Sequence, residues 1–496
     1  MNFRQPTETT TGFDAIGLTT GDSTPPDCMS AAGVHKLVTT CWPLAGPLFD
    51  TVRITHSGVF GINRRMRVSV ARTASNSWQL IRFVRGDLAM TLDVDPVSDS
   101  HPSVAVRGRL IAVLGALSAF GPVTTDLYLP SLPQAATALH TSSAGIQSSL
   151  TTCLIGLGVG QLITGPLSDS RGRRNPLLVA MGIFVVASVL CATADNIITL
   201  DVFRFLQGGA GAAGISICLA IVRDLCQGRA AARAISTLMA VVGVAPIVSP
   251  AIGGQLLRVT DWRGVFIALA GLGVVLLWCA YAWVDETLPP TRRTVGGFTA
   301  RAAVLRRLAI DKTFMGYALA GSFSFAVLFA YISASPFLCQ GLYHFSPQKF
   351  TLFYAFNATG ILIANALNVR LLHRVSPRGL LDVGLIGVGV GAAGVLMVSA
   401  TPHPQLYLLM AALFLMICST GIARPNATAL ALDRHGESAG SAAALLGVTQ
   451  FGLGAIAAPV TELGRHSAVP LGVTVVAAAS LAILARVAAR RATPGP

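Results

Sequence analysis

Charge is scarce in this chain. Only 12% of its 496 residues are Asp, Glu, Lys or Arg, while 53% are hydrophobic. An average soluble domain carries about 25% charged residues. The mean hydropathy is +0.64. That balance excludes a soluble multidomain enzyme, a disordered chain and a collagen-like chain. Cysteine is sparse too: nine are present, none in a C-x-x-C pair or a Cys/His spacing suited to zinc. A disulfide-rich secreted domain is therefore excluded. Cys153, Cys191, Cys218, Cys279 and Cys418 fall inside apolar runs, where Cys acts as a small hydrophobe. H-E-x-x-H and Walker sequences are missing, and all nine His lie away from helix centres. Neither an enzyme nor an ATP-driven pump has a visible seat, and no cofactor or metal is implied. A polytopic membrane protein remains.

The chain is basic, with a formal net charge of +14. Such a charge reads either as a nucleic-acid footprint or as basic cytoplasmic loops. Its location decides. Residues 1–105 hold nine basic and nine acidic residues, so the whole excess lies beyond them. This first segment is rich in Thr, Ser, Asp and Pro and has no apolar run of about 18 residues. It has no signal-peptide pattern. It reads as a disordered or weakly structured extension. Met90 is a candidate translation start, which would make residues 1–89 a gene-model artefact.

Beyond Arg109 long apolar runs alternate with short polar breaks. A helix needs about 20 apolar residues to span the hydrocarbon core. Twelve runs qualify: 108–130, 144–167, 176–194, 197–222, 234–257, 263–284, 314–338, 348–372, 379–400, 404–430, 439–461 and 468–487. Placing the start of the first span inside the cell puts 21 of the 27 Lys and Arg of this region in cytoplasmic segments and four outside. Both termini are then cytoplasmic, and nucleic acid is not needed to explain the charge. The expected fold is an all-α membrane protein of twelve transmembrane helices in two six-helix pseudo-symmetric halves. Its parts are the extension 1–105, a half at 106–290, a cytoplasmic linker at 291–313 and a second half at 314–496. Paired halves of this kind place their ligand site near the midplane.

A charge inside the membrane costs at least about 2.5–3.5 kcal/mol, so each one is a functional hypothesis. Asp126 lies in TTDLYLPSLP, Asp201 and Arg204 in LDVFRFLQGGAGAA, and Arg424 in GIARPNATAL. Asp126 reads as a proton-binding acid in a cavity, or as an acid at the helix end reaching water. Arg204 cannot relay a proton. It reads as a group that tunes its neighbours, or as a structural donor to backbone carbonyls. Asp201, one turn away, either pairs with Arg204 or is solvated. Gly243, Pro246, Pro250, Gly253 and Gly254 thin and kink the fifth helix, as a hinge or as close packing. Tyr128, Gln207, Phe329, Tyr331, Asn357, Asn426 and Gln450 are aromatic or amide groups inside helices. They suit either a substrate pocket or interhelical packing.

Three motifs carry a family resemblance. GPLSDSRGRRNPLL, with Gly165, Asp169, Arg171, Gly172, Arg173 and Arg174, resembles the loop motif of the major facilitator superfamily between helices two and three. LDVFRFLQGGAGAA resembles its fourth-helix motif. GVAPIVSPAIGG resembles its antiporter motif, with Pro250 where Gly is common. Further segments in helices one, seven, eight, ten and eleven are similar to the bicyclomycin-resistance (Bcr/CflA) carriers, over about residues 107–487. The resemblance implies a monomeric multidrug exporter of the bacterial inner membrane. It would exchange small amphipathic antimicrobial compounds for protons through Asp126 and Arg204, with the proton as coupling ion. The loop motif would act as a conformational latch between the halves, and the lipid bilayer would be its surroundings. Export of a metabolite, or a membrane receptor without transport activity, stand as alternatives.

Overall fold

The computed structural model describes residues 51–55, 65–72, 78–83, 91–93 and 108–492, except 227, 294–297, 403, 434, 436–438 and 462–467. The chain divides into two units, residues 1–102 and 103–496. In the first, β1 (Thr51–Thr55), β2 (Arg65–Arg72), β3 (Trp78–Phe83) and β4 (Thr91–Asp93) pair in sequence order as an antiparallel sheet. Val52 pairs with Val68, Val70 with Leu80, and Leu80 with Leu92. Composition alone did not anticipate these strands. Their signal is period-two alternation, as in RMRVSVAR. The rest of the expectation for 1–105, including the start at Met90, concerns residues outside those described.

Among the described residues, the second unit holds twelve helices long and apolar enough to cross a membrane. They are α1 (Gly108–Asp126), α2 (Ser143–Arg171), α3 (Arg174–Ala192), α4 (Ile197–Leu225), α5 (Gly228–Leu256), α6 (Trp262–Trp283), α7 (Lys312–Pro336), α8 (Pro347–Leu371), α9 (Pro377–Ser399), α10 (Leu406–Leu432), α11 (Ala439–Val460) and α12 (Val469–Ala492). All twelve predicted spans are present. The largest boundary difference lies at the start of α5, six residues before the predicted 234; α2 and α12 continue four and five residues beyond the predicted ends. Helix starts follow side-chain caps, which satisfy otherwise orphaned N–H groups. Ser142, Asn196, Asp261, Asp311, Ser346 and Ser376 each accept from a first-turn N–H. The linker expected at 291–313 contains a helix of its own, Phe298–Ile310.

Large apolar side chains such as Val179, Leu352, Ile363 and Met397 are more than half exposed. A helix surface of this kind suits lipid, since it gains nothing in water. The buried residues form three clusters. One joins both halves at the end where α1 finishes, from Leu127, Leu150 and Phe266 to Tyr331, Tyr354 and Ala458. The other two occupy the opposite end and stay within one half each: Leu114, Phe184 and Ile221 in the first, Phe314, Leu385 and Ala489 in the second. The halves thus share one core at the Asp126 end and have separate cores at the Asp169 end.

Candidate functional site

Asp126 closes α1, and α1 gives way there to a 3-10 turn at Leu129–Ser131. The residue is 4% exposed. It accepts from the Thr125 hydroxyl at 3.3 Å and from the Tyr354 hydroxyl of α8 at 3.5 Å. The second bond crosses between the halves. Among the described residues no cation pairs with Asp126. Tyr354 in turn stacks on Tyr331, with ring centroids 5.9 Å apart. Tyr354 was not among the expected residues; its partner lies 228 positions away, and no local pattern marks such a pair.

Arg204 is fully buried in α4. Its Nε donates to the Ser149 carbonyl, and one Nη donates to the Thr124 carbonyl and to Gln207 Oε1 at 2.6 Å. Gln207 passes the chain on to the Ser188 hydroxyl at 2.7 Å. The guanidinium also lies over the rings of Tyr128 and Phe266, 5.2 and 5.6 Å from their centroids. Asp201 forms no described ion pair with it. Ser148 of α2 donates to Asp201 instead, at 2.6 Å, so this half-buried acid is neither paired with Arg204 nor free in solvent. Arg204 therefore ties α1, α2 and α4 together, and Tyr128 and Gln207 are parts of its housing.

The other expected pocket residues separate. Phe329 and Tyr331 are buried in the shared core. Asn426 donates to Asn368 Oδ1 at 2.6 Å and so bridges α10 to α8. Asn357 donates to its own helix at the Phe353 carbonyl, while its Oδ1 is buried without a partner. Gln450 is half-buried. A groove of about 360 Å³ lies elsewhere, on the outer flank of α2, α3 and α4, with none of these residues in its wall.

Six hydrogen bonds join the halves among the described residues, and all lie toward the Asp126 end. Besides Tyr354 to Asp126, Gln147 donates to the Ser333 carbonyl and accepts from Thr461. Thr151 reaches the Ala455 carbonyl, Gln340 the Pro130 carbonyl, and Gln348 the Gly254 carbonyl. The fifth-helix motif completes this seal. A Cβ on Gly254 would stand 2.8 Å from Thr351 of α8, one on Gly243 would stand 2.9 Å from Leu362, and Gly253 lies against the Leu127 carbonyl. Helix α5 runs unbroken through Pro246 and Pro250.

At the other end the loop motif forms a compact charge cluster. Arg173 bridges Asp169 and Asp224, and donates to Ser168 at 2.9 Å. Burial works against its charge, but the two carboxylates outweigh it and raise its pKa further. Glu286, just after α6, accepts from the N–H groups of Arg173, Leu288 and Arg174. Burial opposes its charge, yet these donors and the Arg293 guanidinium hold its carboxyl below the usual 4.5. Arg174 donates to the Val284 and Tyr281 carbonyls. Gly172 has φ +98°, and a side chain there would meet the Glu286 carboxylate, so both conformation and space call for glycine. Gly165 faces open space and Arg171 is exposed. The described partners of Arg173 and Arg174 all belong to the N-terminal half, and Glu286 reaches in addition only Arg293 of the linker. Asp224 and Glu286 were missed because they sit 51 and 113 positions from Arg173.

A run GESAG at 436–440 spells G-x-S-x-G. Its last two residues, Ala439 and Gly440, open α11, and 436–438 lie outside the described residues; no strand is described in this unit to supply the strand-turn-helix context of a nucleophile elbow.

Comparison with known proteins agrees with this architecture. The family model described as Major Facilitator Superfamily matches residues 111–459. An uncharacterized MFS-type transporter of Bacillus subtilis, YdgK, is 36% identical over 78% of this chain and 96% of its own. A bicyclomycin resistance protein homolog of Haemophilus influenzae is 28% identical over 76% and 94%. The structure of the xylose transporter XylE from E. coli superposes with a TM-score of 0.59 at 15% identity, over 79% of this chain and 98% of that one; at this identity it speaks for the fold alone. The protein is thus a multi-pass membrane transporter and not an enzyme, and the chain belongs to the Major Facilitator Superfamily.

Proposed function

We propose that this transporter exports small amphipathic antimicrobial compounds in exchange for protons, as an antiporter of the bicyclomycin-resistance (Bcr/CflA) type. It acts as a monomer in the bacterial inner membrane with both termini cytoplasmic. The observation that carries the reading is the buried Asp126 carboxyl, held by two hydroxyls and no described cation, one of them from the opposite half. A carboxylate in such a place is an uncompensated buried charge. Proton uptake removes the charge and converts the acid from acceptor to possible donor. The Tyr354 bond is one of six that close the Asp126 end, so a proton at Asp126 acts directly on the seal between the halves. The similarity to a bicyclomycin resistance protein homolog supports a drug as substrate.

With the basic loops inside, the Asp126 end faces the periplasm and the structure is closed there. The separate cores at the Asp169 end then flank the route from the cytoplasm. A compound enters between them while Asp126 is deprotonated. After the seal opens and the cytoplasmic ends close, Asp126 takes a periplasmic proton and the compound leaves. One pH unit supplies about 1.36 kcal/mol per proton, and 100 mV supplies about 2.3 kcal/mol per charge. Together these sustain a gradient of a neutral compound of several hundred-fold. Arg204 holds α1, α2 and α4 in register beside Asp126. The Arg173–Glu286 cluster keeps the N-terminal half rigid as the halves rock.

Expression in an efflux-deficient strain, with a panel of antimicrobial compounds, tests the reading. Wild type raises the inhibitory concentration for some amphipathic members, and Asp126→Asn does not. Resistance that persists in Asp126→Asn, or a panel without any response to wild type, overturns it.

A further inference from the structure

Two arginines lie deep within helices, and they differ in one respect. Arg204 donates to two carbonyls and Gln207 through Nε and one Nη, while its other Nη is buried without a partner. Arg424 of α10 has no hydrogen bond or ion pair among the described residues, and its Nε is buried without a partner. Its only described neighbour of note is the ring of Phe325, 4.8 Å from the guanidinium carbon. The acids of the helices are engaged elsewhere: Asp126 with hydroxyls, Asp201 with Ser148, Asp382 with Arg486. The protein therefore brings no described counter-charge to Arg424.

Its position is equally specific. Phe325 belongs to the core shared by the halves, while Ala423 and Ala427 beside Arg424 belong to the core of the second half alone. Arg424 thus sits at the level where the halves part. Phe325 stacks on Phe329 at 5.9 Å and meets Phe451 edge-on at 5.5 Å. Across from these rings is the first half: Leu154 and Phe325 both crowd Gly454, and Phe451 lies 3.6 Å from where Gly158 would carry a Cβ. Arg424 is half-buried.

We propose that Arg424 with Phe325 and Phe451 is a recognition site for an amphipathic aromatic acid. The substrate's carboxylate pairs with the guanidinium fork, and its ring lies against the phenylalanines. A planar guanidinium offers parallel donors that match a carboxylate, and aromatic faces accept a flat apolar group. The site rests on the transport reading above and narrows its substrates toward acids, against their neutral and cationic analogues. An inorganic anion shares the charge but not the aromatic contact.

The test uses the full-length protein in nanodiscs, with 1-naphthoic acid and 1-naphthamide as probes and calorimetry as readout. Wild type binds the acid at least tenfold more tightly than the amide. Arg424→Gln binds the two equally, while its melting temperature stays near wild type. Arg424→Lys keeps part of the preference, since it keeps the charge and loses the fork. Phe325→Leu weakens both probes alike and keeps the preference, which covers the case that Arg424→Gln fails to fold. Equal binding of the probes by wild type, no binding of either, or a preference that survives Arg424→Gln overturns the proposal. Loss of acid binding in 150 mM chloride also overturns it, by assigning the site to an inorganic anion. Proton-coupled drug export without a naphthoate preference defeats this inference alone. A naphthoate preference without proton-coupled export defeats the proposed function alone.

Discussion

Glu286 is the residue through which the loop-motif cluster can be measured. Its carboxylate accepts from Arg173 N at 2.8 Å and Arg174 N at 3.3 Å, where α3 starts, and from Leu288 N at 3.0 Å. It therefore acts as a helix cap supplied from a distant segment. Loss of a cap costs about 0.5–2 kcal/mol, and a negative charge at a helix N-terminus contributes about 0.3–1 kcal/mol. The Arg293 guanidinium stands 4.0 Å away, with both side chains about 30% exposed, and solvent screening leaves that pair little weight. Glu286→Ala should thus loosen the start of α3 by about 1–2 kcal/mol, and Glu286→Gln, which keeps an acceptor oxygen, by about half as much. At 1.36 kcal/mol per tenfold, amide exchange over residues 173–178 accelerates about tenfold in the first variant and about threefold in the second. Hydrogen-exchange mass spectrometry in nanodiscs reads both. The pH dependence follows from the lowered carboxyl. The unfolded segment takes up its proton first as pH falls, so the stabilisation is complete above about 4.5 and disappears as pH passes below the folded value. Glu286→Gln loses this dependence. Wild-type exchange in both variants, or the same acid response in Glu286→Gln as in wild type, refutes the capping argument.

Other substitutions separate packing from mechanism. Gly172→Ala forces a side chain into a left-handed conformation beside the Glu286 carboxylate and should lower stability by about 1–3 kcal/mol; Gly165→Ala, with open space around it, should be neutral or slightly stabilising in thermal unfolding. Asn426→Ala removes the bond to Asn368 and should cost about 0.6 kcal/mol, the usual worth of a side-chain bond between membrane helices, with substrate affinity unchanged in binding assays. Arg204→Lys keeps the charge but cannot reach Ser149, Thr124 and Gln207 at once. Transport in vesicles should fall at least about tenfold, and wild-type rates would assign Arg204 a charge-only role.

Much of this fold was legible in the sequence because the membrane imposes a coarse rule. Every spanning helix must be long and apolar, and every boundary is marked by a polar break or cap such as Asp261 or Asp311. The same reasoning could not see β1–β4, whose alternation is short and was outweighed by polar composition. Residues with an intrinsic anomaly, a charge within an apolar run, were legible there: Asp126, Asp201, Arg204 and Arg424. Their partners were not. Tyr354, Asp224 and Glu286 are ordinary residues locally and become important only because folding places them beside Asp126 or Arg173. For the amides and aromatics the sequence left two roles open. The structure puts Gln207, Tyr128 and Asn426 in contacts within the protein.

The central claim is that Asp126 couples proton movement to solute movement. Its direct measurement is the pH inside proteoliposomes containing wild type or Asp126→Asn, followed with a trapped fluorescent dye as an exported compound is added under an imposed pH gradient. Wild type should move protons only when the compound is present, and Asp126→Asn should move none. Equal compound-dependent proton movement in the two proteins would contradict the account.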